Sequence, residues 1–250
     1  MPGYAFQRGQ VRFGGPLTPG VKIIIIANMV AFLLQVIIRP FTEWFTLQPP
    51  LVLPWNFQIW RVGTYMFLHF GVWHLFWNML SLFLFGGAIE STWGTRSFYR
   101  YYFLCGLGGA LFAFIPIGPF YNVSIAGASG AVYGILLAYG ILFPNNRIYV
   151  LLTFPVEAKY LVAFVGFISL VSALSGQEGI AHTVHLGGFL TGYILLRWAG
   201  LARRTSSFAR ADFLGSVREA YRRWRMRRLR RKFEAYYEKR AGRDDQDIIH

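Results

Sequence analysis

Residues 127–143 read GASGAVYGILLAYGILF, one serine and four glycines in a run with no charge and no proline. The run is continuous where a half-buried strand would alternate, so it reads as a helix that meets no water on any side. Five other apolar runs flank it, at about residues 21–38, 74–90, 98–117, 158–174 and 180–197. Each is roughly 17–20 residues, long enough at about 1.5 Å per residue to cross the hydrocarbon core of a bilayer. The expectation is an all-α polytopic membrane protein, a six-helix bundle over residues 21–197. The first run is followed by Arg39-Pro40 where a cleavage site would need small residues, so it is expected to be a retained anchor.

Composition agrees. The 250 residues are 55% apolar, 18% aromatic and 14% charged, with mean hydropathy +0.40. Such a chain has too little polar material for a soluble surface or for disorder. The single cysteine, Cys105, excludes a disulfide framework and a multi-cysteine metal site, and reads as an inert apolar residue.

The net charge of +14 is unevenly placed: 16 of the 25 Lys and Arg lie from Arg197 onward. With residues 1–20 on the cytoplasmic side, 23 of the 25 cations fall inside, and only Arg39 and Arg61 fall outside. Cations favour cytoplasmic connections, so both termini are expected there. Residues 198–250 form a basic tail with Leu214, Val217, Tyr221, Trp224, Leu229, Phe233 and Tyr236 near helical spacing, and the last residues, 244–250, are expected to lack order. An amphipathic basic helix tethered beside a membrane points to anionic lipid as partner, with nucleic acid not expected.

The outer connection 39–73 is rich in rings, among them Trp44, Trp60 and Phe70, and is expected to lie partly embedded, held by Arg61 and Thr64 bonding back into the loop. Glu90 is expected to bond backbone at the inner end.

Hydrogen-bonding side chains inside spans are rare and face the bundle interior. Here they are His74 and Asn78 on the second run, Ser129 on the fourth, and His182 and His185 on the sixth. Runs two, four and six share one direction, so these groups share one depth. Gly130 with Gly134, and Gly188 with Gly192, have the small-residue spacing that lets two helices approach closely. A serine beside an imidazole is a nucleophile with its general base. The blander reading of such a serine is a bond to its own helix carbonyl. Among the body's acids, Glu43, Glu90, Glu157 and Glu178, none is placed as a third member, so a dyad is expected with Tyr133 stacked on His185. His74, Asn78 and the Ser129 backbone N–H could receive an oxyanion, and Gly127 could let backbone approach substrate. His182 has two readings, a structural bond or a role near the site. Hydrolysis needs water, so an outward-opening pocket is expected, lined by His182, Asn78 and Ser124.

Trp60-Arg61, Phe67-Leu68-His69, His74-x-x-x-Asn78, Gly86-Gly87-x-x-Glu90 with Gly94, Gly127-x-Ser129-Gly130 and His185-x-Gly187-Gly188 occur in this order. In these motifs the chain resembles the rhomboid intramembrane serine proteases over about residues 21–197. The resemblance implies cleavage of single-pass membrane proteins in or near their spans, without metal or cofactor, by Ser129 and His185. It further implies His74 and Asn78 at the oxyanion, a lateral gate at the fifth helix, and, in a bacterial host, a place in the inner membrane. The alternative is a catalytically silent relative that binds clients or handles quality control, expected to lack the serine or the histidine. A transporter would want repeated halves or a mid-membrane carboxylate, and neither is found.

Overall fold

The computed structural model describes residues 17–52, 56–114, 123–150, 153–175 and 179–198, and in the tail 222, 224–226 and 228. It is mostly helical. In chain order the elements are α1 (Pro19–Ile37), α2 (Phe41–Phe45), α3 (Pro49–Val52), α4 (Arg61–Thr64), α5 (Val72–Ser81), α6 (Gly87–Trp93), α7 (Thr95–Phe112), α8 (Ser129–Leu142), a hairpin of β1 (Arg147–Val150) and β2 (Phe154–Glu157), α9 (Ala158–Ser175) and α10 (Gly179–Trp198). A π turn over Leu82–Gly86 joins α5 to α6 in one helical stretch.

Each expected apolar run overlaps a helical stretch, the second one α5, the π turn and α6 together, with different limits, and residues 115–117 of the third run lie outside the described residues. The fourth is shorter than expected: α8 has 14 residues, about 21 Å at 1.5 Å per residue. It starts only at Ser129 because Gly127 has φ +133°, outside the helical region. Among the described residues two helices are long and apolar enough to cross a bilayer, Pro19–Ile37 and Val72–Trp93, while Ser129–Leu142 and Ala158–Leu174 are apolar but shorter. The hairpin was not expected at all. The N-terminal residues 1–16 and most of the basic tail, with its ending at 244–250, lie outside the described residues. In the tail, Arg222, Trp224–Met226 and Arg228 have helical backbone, and the Arg228 guanidinium lies 5.4 Å from the Trp224 ring centroid.

The helix α1 is inverted relative to a helix of a soluble protein. Its buried residues are Gly20, Val21, Ile24 and Asn28, one stripe at helical spacing that includes an amide. Beyond Lys22 in the first turn, its exposed residues are apolar: Ile23, Ile26, Met29, Val30, Leu33, Val36 and Ile37. A continuous exposed apolar face of this kind needs an apolar surrounding. The first turn starts with Pro19, where the missing N–H costs nothing. Its free N–H groups are met from α6: the Glu90 carboxylate accepts from Gly20 N at 2.8 Å, from Val21 N at 2.9 Å, and from the hydroxyls of Thr18 and Thr95. One buried carboxylate therefore ties α1 to the corner between α6 and α7, bonding backbone as expected of Glu90.

Helices α7, α8 and α10 pack on one another, and α9 packs on α8 and α10. Between α8 and α10 the contact is backbone on backbone. A Cβ added at Gly188 would fall on the Gly130 carbonyl, 2.7 Å from its carbon and 3.0 Å from its Cα. Cys105 is fully buried against this seam, beside Gly134 and Gly192.

Connection 39–73 is built around Arg61, which is almost fully buried. Its Nη1 donates to Glu43 O at 2.7 Å and Thr46 O at 2.6 Å, and its Nε to Gln58 Oε1 at 2.6 Å. Burial lowers the Arg61 pKa from its ordinary value, yet a guanidinium stays charged. The Thr64 hydroxyl donates to Phe45 O and Trp60 O. Trp44, Phe57, Trp60 and Phe70 are exposed. Arg61→Ala strands two carbonyls and should lower stability by about 2–3 kcal/mol, the range for bonds to a charged group. Thermal unfolding in micelles measures it, and Arg61→Lys should recover only part because an ammonium lacks the planar fork.

Candidate functional site

The turn that carries Ser129 is fixed before α8 begins. Gly127 N donates to Tyr65 O at 2.9 Å, while the Tyr65 hydroxyl donates to Gly106 O at 2.7 Å. Tyr65 thus anchors the turn to α7, and burial raises its phenol pKa. At Gly127 a side chain is excluded twice, by the left-handed backbone and by the His74 ring, whose Cε1 would lie 2.8 Å from a Cβ. His74 is thereby placed against the Ser129 turn. Ser129 is the first residue of α8, and no side chain caps that helix start. Its first N–H groups have no partner within the helix and point toward whatever lies ahead of it.

The His185 Nε2 lies 2.8 Å from Ser129 Oγ, α10 to α8. Tyr133, one turn after Ser129, stacks on the His185 ring at 4.2 Å between centroids and 16° between planes. Phe189 meets the Tyr133 ring edge-on at 5.4 Å. The imidazole is oriented by aromatic packing, and among the described residues no carboxylate bonds it. Ser129 and His185 are half-buried and Gly127 is buried. Such a pair can transfer a proton from hydroxyl to ring as the oxygen attacks an acyl carbon.

The other expected residues fall less uniformly. His182 stands edge-on to His185 at 5.5 Å. Asn78 is buried, but its Nδ2 donates to His74 O at 2.9 Å, a bond within its own helix. Its side chain therefore braces the turn that presents His74. Ser124 is half-buried at the approach to the turn.

Reading the residues alone overlooked three contributors. His69 is 2% exposed and edge-on to His74 at 5.0 Å; burial, helped by the charge of His74, pushes its pKa down to about 3, so the ring stays neutral. Gln35 on α1 accepts from His69 N at 2.9 Å and donates to Thr42 Oγ1. Tyr65 is the third. Gln35 was findable by the same rule that picked out His74, because a carboxamide within an apolar run needs a partner.

The sequence matches the Rhomboid domain over residues 56–201. It is 32% identical over 142 residues to Rhomboid protein 1, mitochondrial, of Saccharomyces cerevisiae, covering 53% of this chain and 39% of that one. It is 34% identical over 138 residues to RHOMBOID-like protein 2 of Arabidopsis thaliana, covering 55% and 41%. To Rhomboid protease GluP of Bacillus subtilis it is 31% identical over 145 residues, covering 58% and 27%. The matches thus span about two fifths or less of the relatives' length.

Proposed function

The chain belongs to the rhomboid family, and from that premise we propose that it is an intramembrane serine endopeptidase whose dyad is Ser129 and His185. The observation that carries the proposal is the 2.8 Å approach of His185 Nε2 to Ser129 Oγ. His185 takes the hydroxyl proton as Ser129 Oγ attacks the scissile carbonyl. It returns that proton to the leaving amine, and water then hydrolyses the acyl-enzyme. The Ser129 backbone N–H, at the open start of α8, and the His74 and Asn78 side chains receive the tetrahedral oxyanion, and Gly127 leaves space for the substrate backbone.

Family membership makes the chain an integral membrane protein. The finer topology belongs to the proposal: six spans between residues 19 and 198, both termini inside, and a site open to the outer face, in a bacterial inner membrane. Its substrates are single-pass membrane proteins whose helix unwinds near the cut, because a helical peptide bond is shielded by its own hydrogen bonds. The fifth helix, α9, with the outer-facing loops is the proposed lateral gate for substrate, and the basic tail is proposed to lie on anionic lipid.

Stacking by Tyr133 holds the base of the dyad in place. Tyr133→Phe keeps the ring and should leave turnover nearly unchanged, whereas Tyr133→Ala should lower it by on the order of 10²-fold, the effect of an error of about 1 Å in placement. Steady-state cleavage with unfolding temperatures alongside checks both. The proposal itself is tested by coexpressing tagged single-pass segments with the protein and with His185→Ala. Fragments from the first and none from the second are expected. Equal fragments, or none from either while the segments still co-purify with the protein, would favour a client-binding role.

A further inference from the structure

The hairpin between α8 and α9 has no part in the dyad. Its register pairs Arg147 with Glu157, Ile148 with Val156, Tyr149 with Pro155, and Val150 with Phe154. Successive pairs face opposite ways. One face therefore carries Ile148, Val156 and Phe154, and the other carries Arg147, Glu157, Tyr149 and Pro155. The protein covers only the base of the apolar face: Ile148 packs against the core and Val156 is half-buried, but Phe154 is 63% exposed. A two-stranded hairpin is at best marginally stable in water and needs a surface for its apolar side.

The strand β2 leads directly into α9, which also exposes rings. Tyr160, Phe164 and Phe167 are each more than 60% exposed and recur at i, i+4 and i+7, a single stripe of rings. Phe154, also exposed, precedes the start of that helix by four residues. Polar groups mark the same level: Arg147 is exposed, and Lys159 bonds Glu157 at 2.5 Å and Asn145 Oδ1 at 3.0 Å while lying 4.9 Å from the Tyr160 ring centroid. Apolar rings beside cations are the composition of a membrane–water boundary. The base is pinned to both helices, by Ala158 N to Asn146 O at 2.9 Å, Lys159 N to Pro144 O at 3.2 Å and Asn146 Nδ2 to the Tyr139 hydroxyl at 3.1 Å.

We infer that the β1–β2 hairpin is an interfacial lipid anchor: its Phe154 face enters the acyl-chain boundary of the leaflet at the foot of α9 and holds that end of the helix at a fixed depth. The occupant is lipid because β2 leads directly into α9, and the exposed rings of α9 in an integral membrane protein meet lipid. The inference rests on the proposed spanning of α9, and the experiment separates the two.

Full-length protein carrying Phe154→Cys, Tyr149→Cys or Phe164→Cys is labelled with an environment-sensitive fluorophore and reconstituted at low density into phosphatidylcholine vesicles. Cys105 is buried, and unmodified protein measures its background labelling. Lipids brominated on the acyl chains should quench the label at 154 and 164, and aqueous iodide should quench the label at 149. Iodide quenching at 154 with lipid quenching at 164 would overturn the anchor and leave the spanning of α9 intact. Iodide quenching at both would overturn the spanning reading and the anchor with it. Shielding at 154 that disappears on further dilution into lipid would assign the face to a second copy and overturn the lipid occupant.

Discussion

Ser129→Ala should reduce cleavage by roughly 10⁴–10⁶-fold, the loss seen when a nucleophile that works as a unit with its base is removed. The effect is large because nothing else replaces the oxygen: His185 Nε2 is 2.8 Å from this hydroxyl, and its ring is held by Tyr133. The fold should hardly notice. Ser129 sits at the first position of α8, where an alanine is a good helix former, and its Oγ has no bond to backbone that α8 needs. The expected result is an inactive protein with an unchanged unfolding temperature. Retained turnover would show that another group attacks the peptide.

The second large effect concerns a residue with no reactive group. At Gly188 an added methyl meets the Gly130 backbone, which cannot rotate aside as a side chain could. Helices α8 and α10 must therefore separate. Since Gly130 follows Ser129 and Gly188 lies one turn after His185, the separation is transmitted directly to the dyad. Overpacking a tight core costs about 1–3 kcal/mol, and backbone contact puts Gly188→Ala at the upper end. A displacement of about 1 Å should lower turnover by on the order of 10²-fold. Gly166→Ala on α9 is the comparison, because its Cβ would sit at an ordinary 3.6 Å from Phe189 Cζ. Unfolding temperature and cleavage rate, measured on both variants, should fall for Gly188→Ala and hold for Gly166→Ala.

How much of this was legible in the sequence depends on whether a feature is local. The apolar runs carry their helices in their own composition, so the long elements could be located. The Ser129–His185 approach was legible because two glycine pairs on two runs announced a close crossing, and Tyr133 followed from its place one turn beyond Ser129. The limits of the elements were less legible. Helix α8 begins two residues later than its apolar run because a conformation at Gly127, not hydropathy, sets its start.

Features that hydropathy does not record were not legible. Strands β1 and β2 are four residues each, too short for alternation to stand out beside the apolar helices around them. The π turn at Leu82–Gly86 leaves no mark in spacing. The bond from Asn78 Nδ2 to His74 O was not foreseen either, although a carbonyl one turn back is within reach of an amide on a helix; it uses one of the two amide protons, and the other is the donor proposed for the oxyanion. His69 and Gln35 meet across 34 positions of sequence, which no window spans.

The central claim is that Ser129 Oγ is a nucleophile activated by His185. A fluorophosphonate reports it directly, since phosphorus accepts only an activated hydroxyl. After reaction of the folded protein and digestion, mass spectrometry should place the adduct on the peptide carrying Ser129, and His185→Ala should abolish it while leaving the unfolding temperature unchanged. An adduct on another residue, or one that survives His185→Ala undiminished, would contradict the account.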